Sequence, residues 1–175
     1  MLVDLNRLDD GRLDQRFAID RESPALEGFD AEVREPLTLE VELAQPSGET
    51  YVLEATLRGT VWEPCRRCLT PTGIPLEESF RVVYQEPGRD ARQSDEPGDD
   101  DIVWIERGAQ RIELDQQVRD RLFLETDRFP LCRPGCRGIC PSCGQNLNEG
   151  SCDCRLETAD TRWKALEGLQ LDKGN

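Results

Sequence analysis

Eight cysteines and no histidine constrain this 175-residue chain more than any other feature. Five of the eight fall within residues 136–154, CRGICPSCGQNLNEGSCDC, and the others are Cys65, Cys68 and Cys132. A stretch like 136–154 has few large apolar side chains, so hydrophobic burial cannot hold it in shape. Disulfides could do so in an oxidising compartment, but they are rare in the cytosol. The sequence opens MLVDLNRLDD, without the basic start and apolar block of a signal peptide. No apolar run approaches the ~20 residues that span a bilayer. The expectation is a cytoplasmic protein with no membrane partner, whose thiols serve metal or redox chemistry.

Two thiolates two residues apart on a tight turn can face one metal ion, and zinc takes four such ligands in a tetrahedron. CRRC (Cys65, Cys68) and CPSC (Cys140, Cys143) have that spacing. In the second, Pro141 fixes a backbone angle, and Gly144 lets backbone N–H groups turn towards sulfur. Without histidine, both sites must be all-thiolate. Two partitions are open. In the first, Cys140, Cys143, Cys152 and Cys154 form a local set. Cys65, Cys68, Cys132 and Cys136 then tie the end of a strand to a loop far downstream. In the second, the two knuckles combine as in a zinc ribbon.

About two structural zinc ions are expected, each able to contribute on the order of 10 kcal/mol to folding. A closed four-thiolate site leaves no position for a reactive water, so no enzyme and no small-molecule substrate are expected. An iron–sulfur centre and a dithiol redox switch are the competing chemistries. Arg66, Arg67, Arg133 and Arg137 lie beside the first set. They either offset its negative charge or form a small basic patch for RNA or another partner. The net charge of −14 argues against a general nucleic-acid binder and favours a basic protein as partner.

The rest of the chain reads as α+β. Leu37, Leu39, Val41 and Leu43 alternate with polar residues, as do Tyr51, Leu53, Ala55 and Leu57. A third run carries Ile74, Leu76, Phe80, Val82 and Tyr84. Residues 1–128 are expected to form an antiparallel sheet, barrel-like or a meander. This region would include an acidic disordered loop at 86–101, a short strand IVWI, and a helix at about 115–126 capped by Asp115. Residues 129–175 would form the zinc module and a last helix with Trp163, Leu166 and Leu169 on one stripe.

Particular stretches carry a further signal. CRRCL, a strand ending VVY, LCRPGCRGICPSCGQNLNEGSCDC and DTRWKALEGL together resemble the YceD-like family, the large ribosomal RNA subunit accumulation proteins. The resemblance covers about residues 37–170, and CRGICPSCGQNLN is its most specific part. It implies a role in 23S ribosomal RNA accumulation, and so in large-subunit biogenesis. The partners implied are a ribosomal protein or pre-ribosomal particle, with limited ribosomal RNA contact. Some family members keep counterparts of Cys65, Cys68 and Cys136, with a histidine near the place of Cys132, and lack the last four cysteines. That implies a self-sufficient first set. The resemblance brings no catalytic residues. The alternative function is a zinc- or redox-responsive regulator whose thiols release metal on oxidation.

Overall fold

The computed structural model describes residues 1–87, 102–126 and 129–154. Among these residues seven strands and one α-helix follow in chain order: β1 (Leu2–Asp4), β2 (Arg12–Ile19), β3 (Leu37–Ser47), β4 (Thr50–Pro64), β5 (Pro71–Gln85), β6 (Ile102–Trp104), β7 (Arg111–Glu113) and α1 (Asp115–Glu125). No helix among the described residues is long and apolar enough to cross a membrane.

Alternation builds the main sheet. β2, β3, β4 and β5 run as an antiparallel meander, and β6 adds to β5 in parallel. Among the described residues the sheet is therefore mixed rather than purely antiparallel, with β2 and β6 as its outer strands. On β3, Leu37, Leu39, Val41 and Leu43 all face inwards, and across the ladder Leu39 meets Leu57 and Leu43 meets Leu53. Phe80 and Val82 continue the layer opposite Ala55 and Leu53. Val118 and Leu122 of α1 are fully buried in the same core. β1 pairs separately with β7, which sets Val3 opposite Ile112, both buried.

Two expectations change in detail. The helix falls where expected, but Leu114 is its N-cap and no side chain caps it. Asp115 is instead the first helical residue, and its carboxylate accepts from the Met1 ammonium at 2.5 Å. Glu86, expected in the acidic loop, closes the sheet: its N–H donates to the Glu49 carbonyl. β3 continues through Ser47, so only Gly48 and Glu49 separate it from β4. The remainder of the acidic loop and the last helix lie outside the described residues.

β4 and β5 are the longest strands, and their far ends carry the first cysteine pair. Their ladder runs unbroken to Pro64↔Pro71, so Cys65 and Cys68 sit in the turn that joins them. Gly59 lets β4 approach β3 closely. A β-carbon there would lie 2.4 Å from Leu37 Cδ2 and 3.3 Å from its Cα. Gly59→Ala is therefore expected to lower stability by about 1–3 kcal/mol through overpacking. Urea denaturation measures it, and an unchanged midpoint would count against this contact.

Candidate metal centres

The two knuckles share one backbone pattern. In the first, Cys65 N–H donates to the Thr70 carbonyl, and Leu69 N–H to the Cys65 carbonyl. In the second, Cys140 N–H donates to the Gln145 carbonyl, and Gly144 N–H to the Cys140 carbonyl. The fifth position is left-handed in both: φ is +60° at Leu69 and +75° at Gly144. A strand-to-strand turn and a loop thus reach the same two-cysteine geometry.

The sulfurs gather in two groups. Cys65, Cys68, Cys132 and Cys136 form one, and Cys140, Cys143, Cys152 and Cys154 the other, with all ligand atoms in a group within 4.8 Å of one another. This is the first of the two partitions weighed from sequence. The zinc-ribbon pairing of the knuckles does not form. No pair is joined as a disulfide.

Does a metal fit? Cys65 and Cys136 sulfurs are 3.8 Å apart, and Cys68 and Cys132 sulfurs 3.6 Å. A tetrahedron with Zn–S bonds of about 2.3 Å has edges of about 3.8 Å. A multi-iron cluster would hold its ligating sulfurs farther apart, because iron and sulfide atoms lie between them. The donor set and its spacing therefore fit one tetrahedral ion per group. Cys65, Cys68 and Cys136 are buried, while in the second group only Cys140 is.

Electrostatics within each group point the same way. Burial acts to raise the Cys65 thiol, but backbone N–H groups, including those of Arg67 and Cys68, outweigh it and bring the thiol down to about 6. Burial and the neighbouring sulfurs push Cys132 up to about 12. In the second group, the N–H groups of Cys143 and Ser142 bring Cys140 down to about 6. Hydrogen bonding with Cys143 and then burial push Cys154 up to about 12. Four thiolates this close repel one another, and a dication is what lets all four ionise together.

The loop of the second group reaches the first through Asn148, a side chain that received no role from sequence. Asn148 Nδ2 donates to Cys136 Sγ at 3.4 Å. Its Oδ1 accepts from Arg137 N–H and from the Arg133 guanidinium, both at 2.8 Å. Asn146 Oδ1 in turn accepts from Asn148 Nδ2 and N–H. The paired asparagines in NLN were the available signal. Two backbone bonds dock the loops: Ile139 N–H to the Arg67 carbonyl and Leu147 N–H to the Gly138 carbonyl. Gly138 has φ +77°, and a β-carbon there would lie 3.1 Å from the Arg67 carbonyl. Partners that orient metal ligands typically matter about 10–100-fold in affinity. Asn148→Ala is expected to weaken metal retention at the buried group by that range, measured by chelator competition. Retention equal to wild type would assign Asn148 to loop structure alone.

The arginines expected beside the first group are all there and exposed. Arg67 donates to the Cys136 carbonyl at 3.0 Å, and Arg66 lies over the Phe129 ring at 5.4 Å.

Residues 53–170 match the family model described as large ribosomal RNA subunit accumulation protein YceD. The chain belongs to the YceD family. Among curated YceD relatives is a maize protein named large ribosomal RNA subunit accumulation protein YCED homolog 1, chloroplastic. It is 28% identical over 74% of this chain and 52% of its own length. The Arabidopsis thaliana protein of the same name is 25% identical over 67% of this chain and 44% of its own. An uncharacterised Mycobacterium tuberculosis protein is 30% identical over 74% of this chain and 60% of its own. The chain thus spans about half the length of the YceD relatives it matches. No solved structure matches it.

Proposed function

We propose that this YceD protein is a non-enzymatic cytoplasmic factor in large ribosomal subunit biogenesis that supports 23S ribosomal RNA accumulation. Two structural zinc ions would hold its C-terminal module, with the eight cysteines as ligands. The family match over residues 53–170 carries the reading. The two four-sulfur groups support it chemically, because each closed set leaves no position on the metal for a reactant.

The outer face of the sheet supports a basic partner. Asp14 faces Glu42, and Glu42 faces Glu54, so three exposed carboxylates stand in a row across three strands. Like charges directly opposite on a sheet destabilise it. A basic ribosomal protein docked on that row would relieve the repulsion. Nearby, Arg16, Glu40, Arg58 and Glu77 are already joined in ion pairs.

Cells lacking the protein should lose mature 23S relative to 16S ribosomal RNA, and tagged protein should sediment with large-subunit precursors. Association should weaken steeply as salt rises, since exposed charges are screened within a Debye length of about 8–10 Å at 0.10–0.15 M salt. Unchanged ribosomal RNA in the deletion strain would remove this reading. Submicromolar, salt-insensitive binding to protein-free ribosomal RNA would overturn the partner assignment.

A further inference from the structure

We propose that the exposed face of the first knuckle is a docking surface for a short unpaired stretch of RNA. The proposal rests on the large-subunit reading above and names the part of the protein that meets RNA.

Charge is segregated on this face. Residues 65–75 and 129–148 contain four arginines and no Asp or Glu, in a chain with 36 acidic residues. The two stretches are in contact, because Arg66 N–H donates to the Pro130 carbonyl and Ile139 N–H to the Arg67 carbonyl.

Arg67 and Arg133 are not consumed by the thiolates. The guanidinium of Arg67 goes to a backbone carbonyl and that of Arg133 to Asn148, whereas backbone N–H groups and the Asn148 amide serve the sulfurs. Among the described residues Arg67, Arg133 and Arg137 form no ion pair, whereas Arg16, Arg34, Arg58 and Arg119 all do.

Apolar side chains are exposed on the same face: Phe129 is 71% exposed and Leu69 61%. Leu69 is the more informative. It takes the left-handed position that glycine fills in the second knuckle, a conformation that disfavours a branched side chain. An exposed leucine there adds strain and buries little, which points to a use other than stability.

The chemistry selects the partner. Phe129 with the Arg66 guanidinium above it offers a planar platform, and bases stack on aromatic rings and guanidinium planes. Arg133 and Arg137 can meet the flanking phosphates. A duplex hides its base faces, and an acidic peptide brings none. The acidic remainder of the protein confines contact to a few phosphates. With about three, the salt slope for a single strand is about −2.

The test uses the full, metal-loaded chain and a labelled single-stranded RNA dodecamer of mixed sequence. The same RNA as duplex and a polyglutamate peptide are compared at two salt concentrations. Micromolar, salt-dependent binding of the single strand is expected, about tenfold or more above the other two. Phe129→Ala and Arg137→Ala should each weaken it about five- to tenfold. Leu69→Gly should weaken binding while the thermal midpoint holds or rises, an outcome that a folding role would not give. Equal affinity for duplex or peptide, absence of binding, or unchanged affinity in Leu69→Gly and Phe129→Ala overturns the proposal. If it falls while the protein still sediments with large-subunit precursors, the surface is wrong and the biogenesis role stands.

Discussion

Protein purified without chelator is expected to hold two zinc ions, and stripping them should unfold residues 129–154 while most of the sheet survives. The segment 129–154 contains no helix and no strand, and its buried residues are few: Pro130, Cys136, Gly138 and Cys140. Half of those are proposed ligands, so without metal nothing comparable to the sheet's core would remain to order the segment. Apparent binding of structural zinc is worth about 10–16 kcal/mol per site in small peptides, far above what a few backbone bonds supply. Elemental analysis gives the stoichiometry. Hydrogen exchange before and after chelation should show protection lost in 129–154, with smaller losses around Cys65–Thr70, and restored on adding zinc. Since thiolates and not thiols bind, acid should release the metal as well. Protein without metal that keeps protection in this segment, or the absorbance of an iron–sulfur cluster, would defeat the zinc assignment.

Cys68→Ser should destabilise the whole chain far more than Cys154→Ser. Cys68 is buried in the turn between the two longest strands, and its group joins that turn to Cys132 and Cys136. Losing one ligand there frees the module from the sheet and leaves a buried polar cluster poorly satisfied, a cost of several kcal/mol. Cys154 is exposed and belongs to a group that closes only within 140–154. Its loss melts a local loop, which can open without the sheet. Thermal melts followed in the far ultraviolet should show a large fall for Cys68→Ser and a shift within about 2 °C for Cys154→Ser. Equal falls would mean that the second group also supports the sheet, through Asn148.

The period-two pattern of Leu37–Leu43 and Tyr51–Leu57 made the sheet legible, because burial of one face fixes register residue by residue. The cysteine spacing made the knuckles legible too. The local closure of the last four sulfurs was readable as one of two options, and only three-dimensional packing decided between them. β6 was readable as a strand, but its parallel pairing was not, since three residues carry no directional signal. The Asp115 cap failed because the helix has its N-cap one residue earlier, at Leu114, and the Asp115 carboxylate takes a distant partner, the Met1 ammonium. The NLN asparagines stood out, but the role of Asn148 was not legible for a related reason: its value lies in Cys136 and Arg133, which are near it only after folding.

The separation of Cys68 from Cys132 and Cys136 has a consequence in time. At roughly 5–20 residues per second, the ribosome makes the 68 residues from Leu69 through Cys136 in about 3–14 s. For that interval the nascent chain displays a lone pair of thiols, half a chelate, in the turn of a hairpin whose second strand is made only after them. The first group can close only once Cys136 has emerged, long after its first two ligands, whereas Cys140–Cys154 can close almost as soon as they are made. Metal supply and oxidants therefore act on this protein most strongly while it is being synthesised.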